Sequence, residues 1–151
     1  MKIAIACDHG AYNNKEALKA KLISEGHEVK DYGCFSEDSV DYPEVVYPCA
    51  KAVADGEFER GIVMCGTGIG VSIVANKVKG IRCAHVHDVE TAKLTREHND
   101  SNILAMGGRI IDQKLVEEIT EIWLNTPFSH AERHQRRIDM ISAIDNGTFM
   151  K

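Results

Sequence analysis

Residues 60–82 read Arg-Gly-Ile-Val-Met-Cys-Gly-Thr-Gly-Ile-Gly-Val-Ser-Ile-Val-Ala-Asn-Lys-Val-Lys-Gly-Ile-Arg. The apolar run Ile62, Val63, Met64 predicts a strand ending at Cys65. Gly66, Thr67, Gly68, Ile69 and Gly70 form a glycine-rich turn, and Val71, Ile73, Val74 and Val78 continue at helical spacing. A strand, a glycine loop and a helix N-terminus in succession make an anion site, because glycines admit close approach and unpaired N–H groups face the ligand. Cys65 stands at the lip of that site. Thiols beside helix N-termini ionise more readily, so Cys65 is expected to serve as a thiolate near neutral pH.

The loop fits none of the common phosphate motifs. A dinucleotide fingerprint beginning at Gly66 would need its third glycine at position 71, which is Val71, and no Gly-Lys-Ser/Thr follows as a P-loop requires. A cysteine phosphatase would want arginine six residues after Cys65, again Val71. By itself the loop also reads as a structural turn, and Cys65 as a packed strand residue.

Outward from this stretch, strands alternate with helices. Ile3 to Cys7 is a near-continuous apolar run, as in a strand buried on both faces of a parallel sheet. Asn13 or Asn14 caps a first helix closed by Gly26, and His27 to Tyr32 reads as a second strand. Pro43 suits the first turn of a helix running to Asp55-Gly56. Ile81 to Val86 and Asn102 to Met106 predict two more strands, with helices capped by Asp88 and Asp112 after them. Pro127 stops the Asp112 helix, and a last one, about 131–146, carries Ile138, Ile141 and Ile144 on one side. The pattern predicts an α/β fold: one Rossmann-like domain over 1–151, its parallel sheet of about five strands flanked by helices on both faces. Ligands then bind beyond the carboxyl ends of the strands, where Asp8-His9, Cys65-Gly66-Thr67 and His87 fall.

Composition narrows the partners. The 151 residues are 44% hydrophobic and 27% charged, as in a globular protein with a real core. A net charge of −5 argues against nucleic-acid binding through a basic surface. No apolar run reaches the roughly 18–20 residues of a membrane helix, and no signal peptide is read ahead of the first strand. The five cysteines form no CxxC pair. That usage fits a reducing cytoplasm, with all but Cys65 as small buried hydrophobes.

Other polar groups allow two readings each. His98 at a helix end compensates the dipole unless the fold brings it to Cys65. Arg109, Arg133, Arg136 and Arg137 with His130 and His134 are either a solvated face or a phosphate site. His85 and His87 alternate on a strand end without a third metal ligand and read as structural.

Taken jointly, Cys7-Asp8-His9-Gly10, Asp41-Tyr42-Pro43, Cys65 to Gly70, His98 to Asn102 and Arg133…Arg137 resemble the type B ribose-5-phosphate isomerases, relatives of galactose-6-phosphate isomerase subunits. The resemblance covers essentially the whole chain. It implies a Rossmann-like fold, a homodimer or dimer of dimers, no metal and no organic cofactor. It implies that Cys65 is the base moving the C2 proton, Thr67 the hydroxyl shuttling protons between substrate oxygens, and His98 the ring-opening acid/base with Asp8 as its partner. The amides of Gly66, Gly68 and Gly70 then cradle the oxyanion, and Asn99, Tyr42 and Ser72 contact substrate. His9, Arg109, Arg133 and Arg137 hold the phosphate, the last two from a neighbouring subunit. Tyr12 stands where many relatives have a small or apolar residue. Six-carbon sugar phosphates are the alternative substrates. A non-catalytic phospholigand module is the alternative class, and it leaves Cys65, Thr67 and His98 without work.

Overall fold

The computed structural model describes every residue, Met1–Lys151. Five strands, β1 (Lys2–Cys7), β2 (Glu28–Asp31), β3 (Arg60–Cys65), β4 (Cys83–His85) and β5 (Ile103–Gly107), form one parallel sheet in the order β2-β1-β3-β5-β4. The helices are α1 (Tyr12–Ser24), α2 (Tyr42–Ala54), α3 (Ile69–Asn76), α4 (Val89–Asn99), α5 (Gln113–Asn125) and α6 (Glu132–Asp145). A short 3-10 turn, His9–Ala11, precedes α1 and is capped by Asp8, whose Oδ1 accepts the Gly10 N–H at 2.9 Å. This is the expected fold class, with β4 shorter than the run Ile81 to Val86 foresaw.

The two faces of the sheet are packed differently, and the strand period of two decides how. Ile3, Ile5, Ile62, Met64, Leu104 and Met106 face one way and pack with Leu18, Leu22, Val116, Ile119 and Trp123 of α1 and α5. Ala4, Ala6, Val63 and Ala105 face the other way, under Val46, Ala50 and Val53 of α2 and Val71 and Ala75 of α3. Small residues on this second face let α2 and α3 sit close. Gly61 belongs to the same device, since a Cβ there would lie 3.0 Å from both Ile103 and Val53. The Asp88 and Asp112 caps follow the sequence reading: Asp88 accepts the Thr91 N–H at 2.7 Å and Asp112 the Leu115 N–H at 2.8 Å. The first helix departs from it: α1 begins at Tyr12 with Ala11 as its N-cap and no side-chain cap, so Asn13 and Asn14 lie inside the first turn, the 3-10 turn having carried the chain into the helix before them.

One buried charge was not foreseen. Lys15 on α1 is fully buried and donates to Asp31 Oδ1 and Oδ2 at 2.8 and 2.7 Å and to the Cys34 carbonyl at 2.5 Å. Lys19 reaches the same carboxylate at 2.7 Å. Burial alone would raise the Asp31 carboxyl, but the two ammonium groups outweigh it and hold the acid below its ordinary value. The network ties the end of β2 and the start of the β2–α2 loop to α1.

Candidate active site

The strand order reverses between β1 and β3: β1 leads outward to β2, and the chain then crosses back to β3. Crevices at such switch points, beyond the carboxyl ends of the strands, are where open α/β sheets bind ligands. Here the crevice lies between Asp8 and Cys65.

Cys65 ends β3, pairs in register with Gly107 of β5 and is 5% exposed. Its Sγ accepts the Gly68 N–H at 3.1 Å, a donor that stabilises negative charge on sulfur. Gly68 is the N-cap of α3 at φ 82°, a left-handed conformation that costs glycine little. The other cysteines lack this setting. Burial pushes the Cys7 and Cys49 thiols up, and the Cys83 thiol up to about 12.

Close backbone approach assembles the rest of this edge. Arg109 donates its own N–H to the Gly66 carbonyl at 3.0 Å, and its side chain folds over two glycines. A Cβ on Gly66 would lie 3.2 Å from Arg109 Cδ, and one on Gly10 3.3 Å from Arg109 Cζ. Tyr42, at the start of α2, lies against Gly70, where a Cβ would be 2.6 Å from the ring. Thr67 is exposed, and its Oγ1 accepts the Ile69 N–H at 3.2 Å, leaving the hydroxyl proton free to donate. His9 Nδ1 accepts the Val40 N–H at 3.3 Å, so a neutral His9 carries its proton on Nε2. Asp8, His9, Ser39, Val40, Asp41, Tyr42 and Pro43 line an open cleft of about 590 Å³ beside the loop. Ser72 lies one turn into α3, with its hydroxyl donated to the Ile69 carbonyl at 2.7 Å. Tyr12 packs against the core, with Lys15 Nζ 5.6 Å from its ring centre.

The remaining expected residues lie elsewhere. Helix α4 leaves β4 at the carboxyl edge and runs back, so His98 and Asn99 come just before β5 begins. They sit at the amino edge, at least the length of β5 away from Cys65, about 13 Å for four strand steps. The expected pairing of His98 with Asp8 is therefore not made within one chain. His98 instead meets α6, its ring 4.3 Å centre to centre from that of His134. His134 is buried, and its Nδ1 lies 2.7 Å from Ser129 Oγ. Desolvation and the neighbouring Arg133, His98 and Arg137 side chains hold it below the ordinary histidine value. Arg133 and Arg137 are exposed on α6. The chain thus divides its polar groups between Asp8, His9, Cys65, Thr67 and Arg109 at one edge and His98, Asn99, Arg133 and Arg137 at the other.

Known proteins resemble this chain along nearly its whole length. The Ribose/Galactose Isomerase family profile matches residues 3–141. YwlF of Bacillus subtilis, provisionally named a sugar phosphate isomerase, is 54% identical over 143 residues, 94% of this chain and 95% of that protein. Ribose-5-phosphate isomerase B of Escherichia coli is 42% identical over 144 residues, 95% of this chain and 96% of its own. The structure of ribose-5-phosphate isomerase B from Clostridium thermocellum superposes with a TM-score of 0.95 at 46% identity, covering 97% of this chain and 99% of that one. The chain is a member of the Ribose/Galactose Isomerase family and, with it, a sugar-phosphate isomerase.

Proposed function

We propose that this protein interconverts ribose 5-phosphate and ribulose 5-phosphate. The observation that carries the mechanism is the Gly68 N–H aimed at Cys65 Sγ beside the open N-terminus of α3. As a thiolate, Cys65 removes the C2 proton of the open-chain aldose and returns it to C1. Negative charge developing on the substrate oxygens between those steps faces the loop amides of Gly66, Thr67 and Gly70, while the Gly68 and Ile69 N–H groups are held by Cys65 Sγ and Thr67 Oγ1. The free Thr67 hydroxyl proton exchanges between O1 and O2. His9, whose Nε2–H is outward of its bond to Val40, and Arg109 take the phosphate.

The separation of the two edges supports a homodimer in which the amino edge of one copy completes the carboxyl edge of the other. His98 and Asn99 then arrive with Arg133 and Arg137, not with the arginines alone. Exposed apolar residues support the pairing: Ile69 and Ile73 stand one turn apart on α3, beside the loop, and Met140, Ile141 and Ile144 are exposed on α6. In that assembly His98 opens the furanose ring with Asp8 across the interface, and the reaction proceeds in the cytoplasm without an added cofactor. No helix is long and apolar enough to cross a membrane.

The test is a coupled assay of ribose 5-phosphate without added metal, on wild type and Cys65→Ala. Wild-type turnover that falls about 10³-fold or more in the variant, with substrate binding retained, is the expected result for loss of a catalytic base. No wild-type turnover on this sugar overturns the reading. The same assay on allose and galactose 6-phosphates decides the chain length preferred.

A further inference from the structure

The peptide that faces Cys65 is tied at its other end to a histidine so far without a role. Between Thr67 and Gly68, one planar unit presents its N–H to Cys65 Sγ at 3.1 Å and its carbonyl to His85 Nε2 at 2.8 Å. A carbonyl oxygen only accepts, so Nε2 carries a proton, and does so in both the neutral and the charged imidazole. The two bonds are coupled, because the unit cannot turn over without losing both.

Turning over is a low-cost motion at this place. Gly68 has φ 82° and ψ −10°, the values of the third residue of a type II turn. A type I turn differs by inverting the peptide ahead of that residue. Glycine populates either sign of φ readily, so Gly68 does not itself select the orientation. Inverted, the peptide would aim the Thr67 carbonyl lone pairs at the sulfur and withdraw the N–H.

We propose that His85 is a positioning residue: by holding the Thr67 carbonyl it keeps the Gly68 N–H on Cys65. The surrounding glycines make room for the bond. A Cβ on Gly68 would lie 2.7 Å from His85 Nε2, and one on Gly107 2.5 Å from the Thr67 carbonyl oxygen. His85 and His87 are 6.1 Å apart centre to centre, with no third candidate ligand to make them a metal pair. As a catalytic statement the proposal rests on Cys65 being the base, but the tether can be read without turnover.

The experiment compares His85→Leu, which removes the donor, with His85→Gln, whose amide N–H can restore it. Two readouts are taken at pH 7: kcat and KM on ribose 5-phosphate, and the rate of iodoacetamide alkylation at Cys65 followed by peptide mass spectrometry. Melting temperatures confirm that both variants fold. In His85→Leu, kcat and the alkylation rate are expected to fall about fivefold, the scale of one net hydrogen bond, with KM within about twofold and recovery in His85→Gln. Slower alkylation in the leucine variant, rescued by glutamine, supports the tether even if wild type proves inactive on the sugar; only the isomerase reading then falls. Unchanged alkylation in His85→Leu, or equal losses in both variants, overturns the proposal.

Discussion

The two edges of the sheet are built by different means. At the carboxyl edge the polar groups are held largely by backbone: Gly68 N–H on Cys65, Arg109 N–H on the Gly66 carbonyl, Asp8 over the Gly10 amide. Glycines at positions 10, 66, 68, 70 and 107 admit these approaches, and most have no room for a Cβ. At the amino edge the groups are side chains on helices: His98 at the end of α4, and Arg133 and Arg137 exposed on α6. A backbone-built site is formed before substrate arrives, which suits charge stabilisation in a transition state. A side-chain cluster on an exposed helix suits reaching into another molecule and gripping a phosphate. In the proposed assembly each edge supplies both kinds of group: Cys65 and Thr67 with the phosphate ligands His9 and Arg109 at the first, and His98 with Arg133 and Arg137 at the second.

The largest effect should come from separating the edges genetically. Cys65→Ala and His98→Ala homodimers are each expected to lose about 10³-fold in turnover. Unfolded together and refolded, half of the dimers are mixed, and each mixed dimer has one intact site. Activity should therefore return to about a quarter of wild type. A mixture as inactive as its parents would place His98 and Cys65 in the same chain's site and break the comparison.

A smaller effect concerns the loop wall at the carboxyl edge. Asp31→Asn leaves the buried Lys15 with only the partly exposed Glu16, 3.2 Å away, as an anionic partner, and should cost about 3 kcal/mol in urea unfolding at pH 7, the low end for removing one partner of a buried pair. The sign of its pH dependence follows from the depressed carboxyl. Its contribution is present above the unfolded value near 4 and is lost as pH falls through the lower folded value. The variant's deficit should therefore shrink in acid. A deficit that stays constant down to pH 2 would mean the carboxylate charge is not what stabilises the loop.

The smallest effect sharpens the division within α3. Ser72 spends its hydroxyl proton on the Ile69 carbonyl, so Ser72→Ala should change KM for ribose 5-phosphate by less than about threefold. A tenfold or greater rise would restore Ser72 as a direct substrate contact.

Much of the carboxyl edge was legible in the sequence because local rules build it. The apolar run into Cys65, the glycines after it and the capping residues Asp88 and Asp112 each act within a few residues of themselves. Lys15 was not legible, since its position on α1 reads as one more polar residue until Asp31 and Cys34 converge on it. His85 reads as structural in the sequence because nothing local links a strand end to a carbonyl 18 residues earlier. Helix α2 also runs through Pro48, an exposed position where the missing N–H is tolerated.

Residue order by itself determined the alternation of strands and helices, the parallel sheet it requires and the chemical identity of each candidate group. Hydrophobic period, turn residues and caps are short-range properties, and they were enough for that. Only the tertiary structure decided which groups share an edge. Strand order and helix direction are set by long-range packing, large side chains toward α1 and α5 and small ones toward α2 and α3. That packing places His98 a sheet's length from the thiol it was expected to serve.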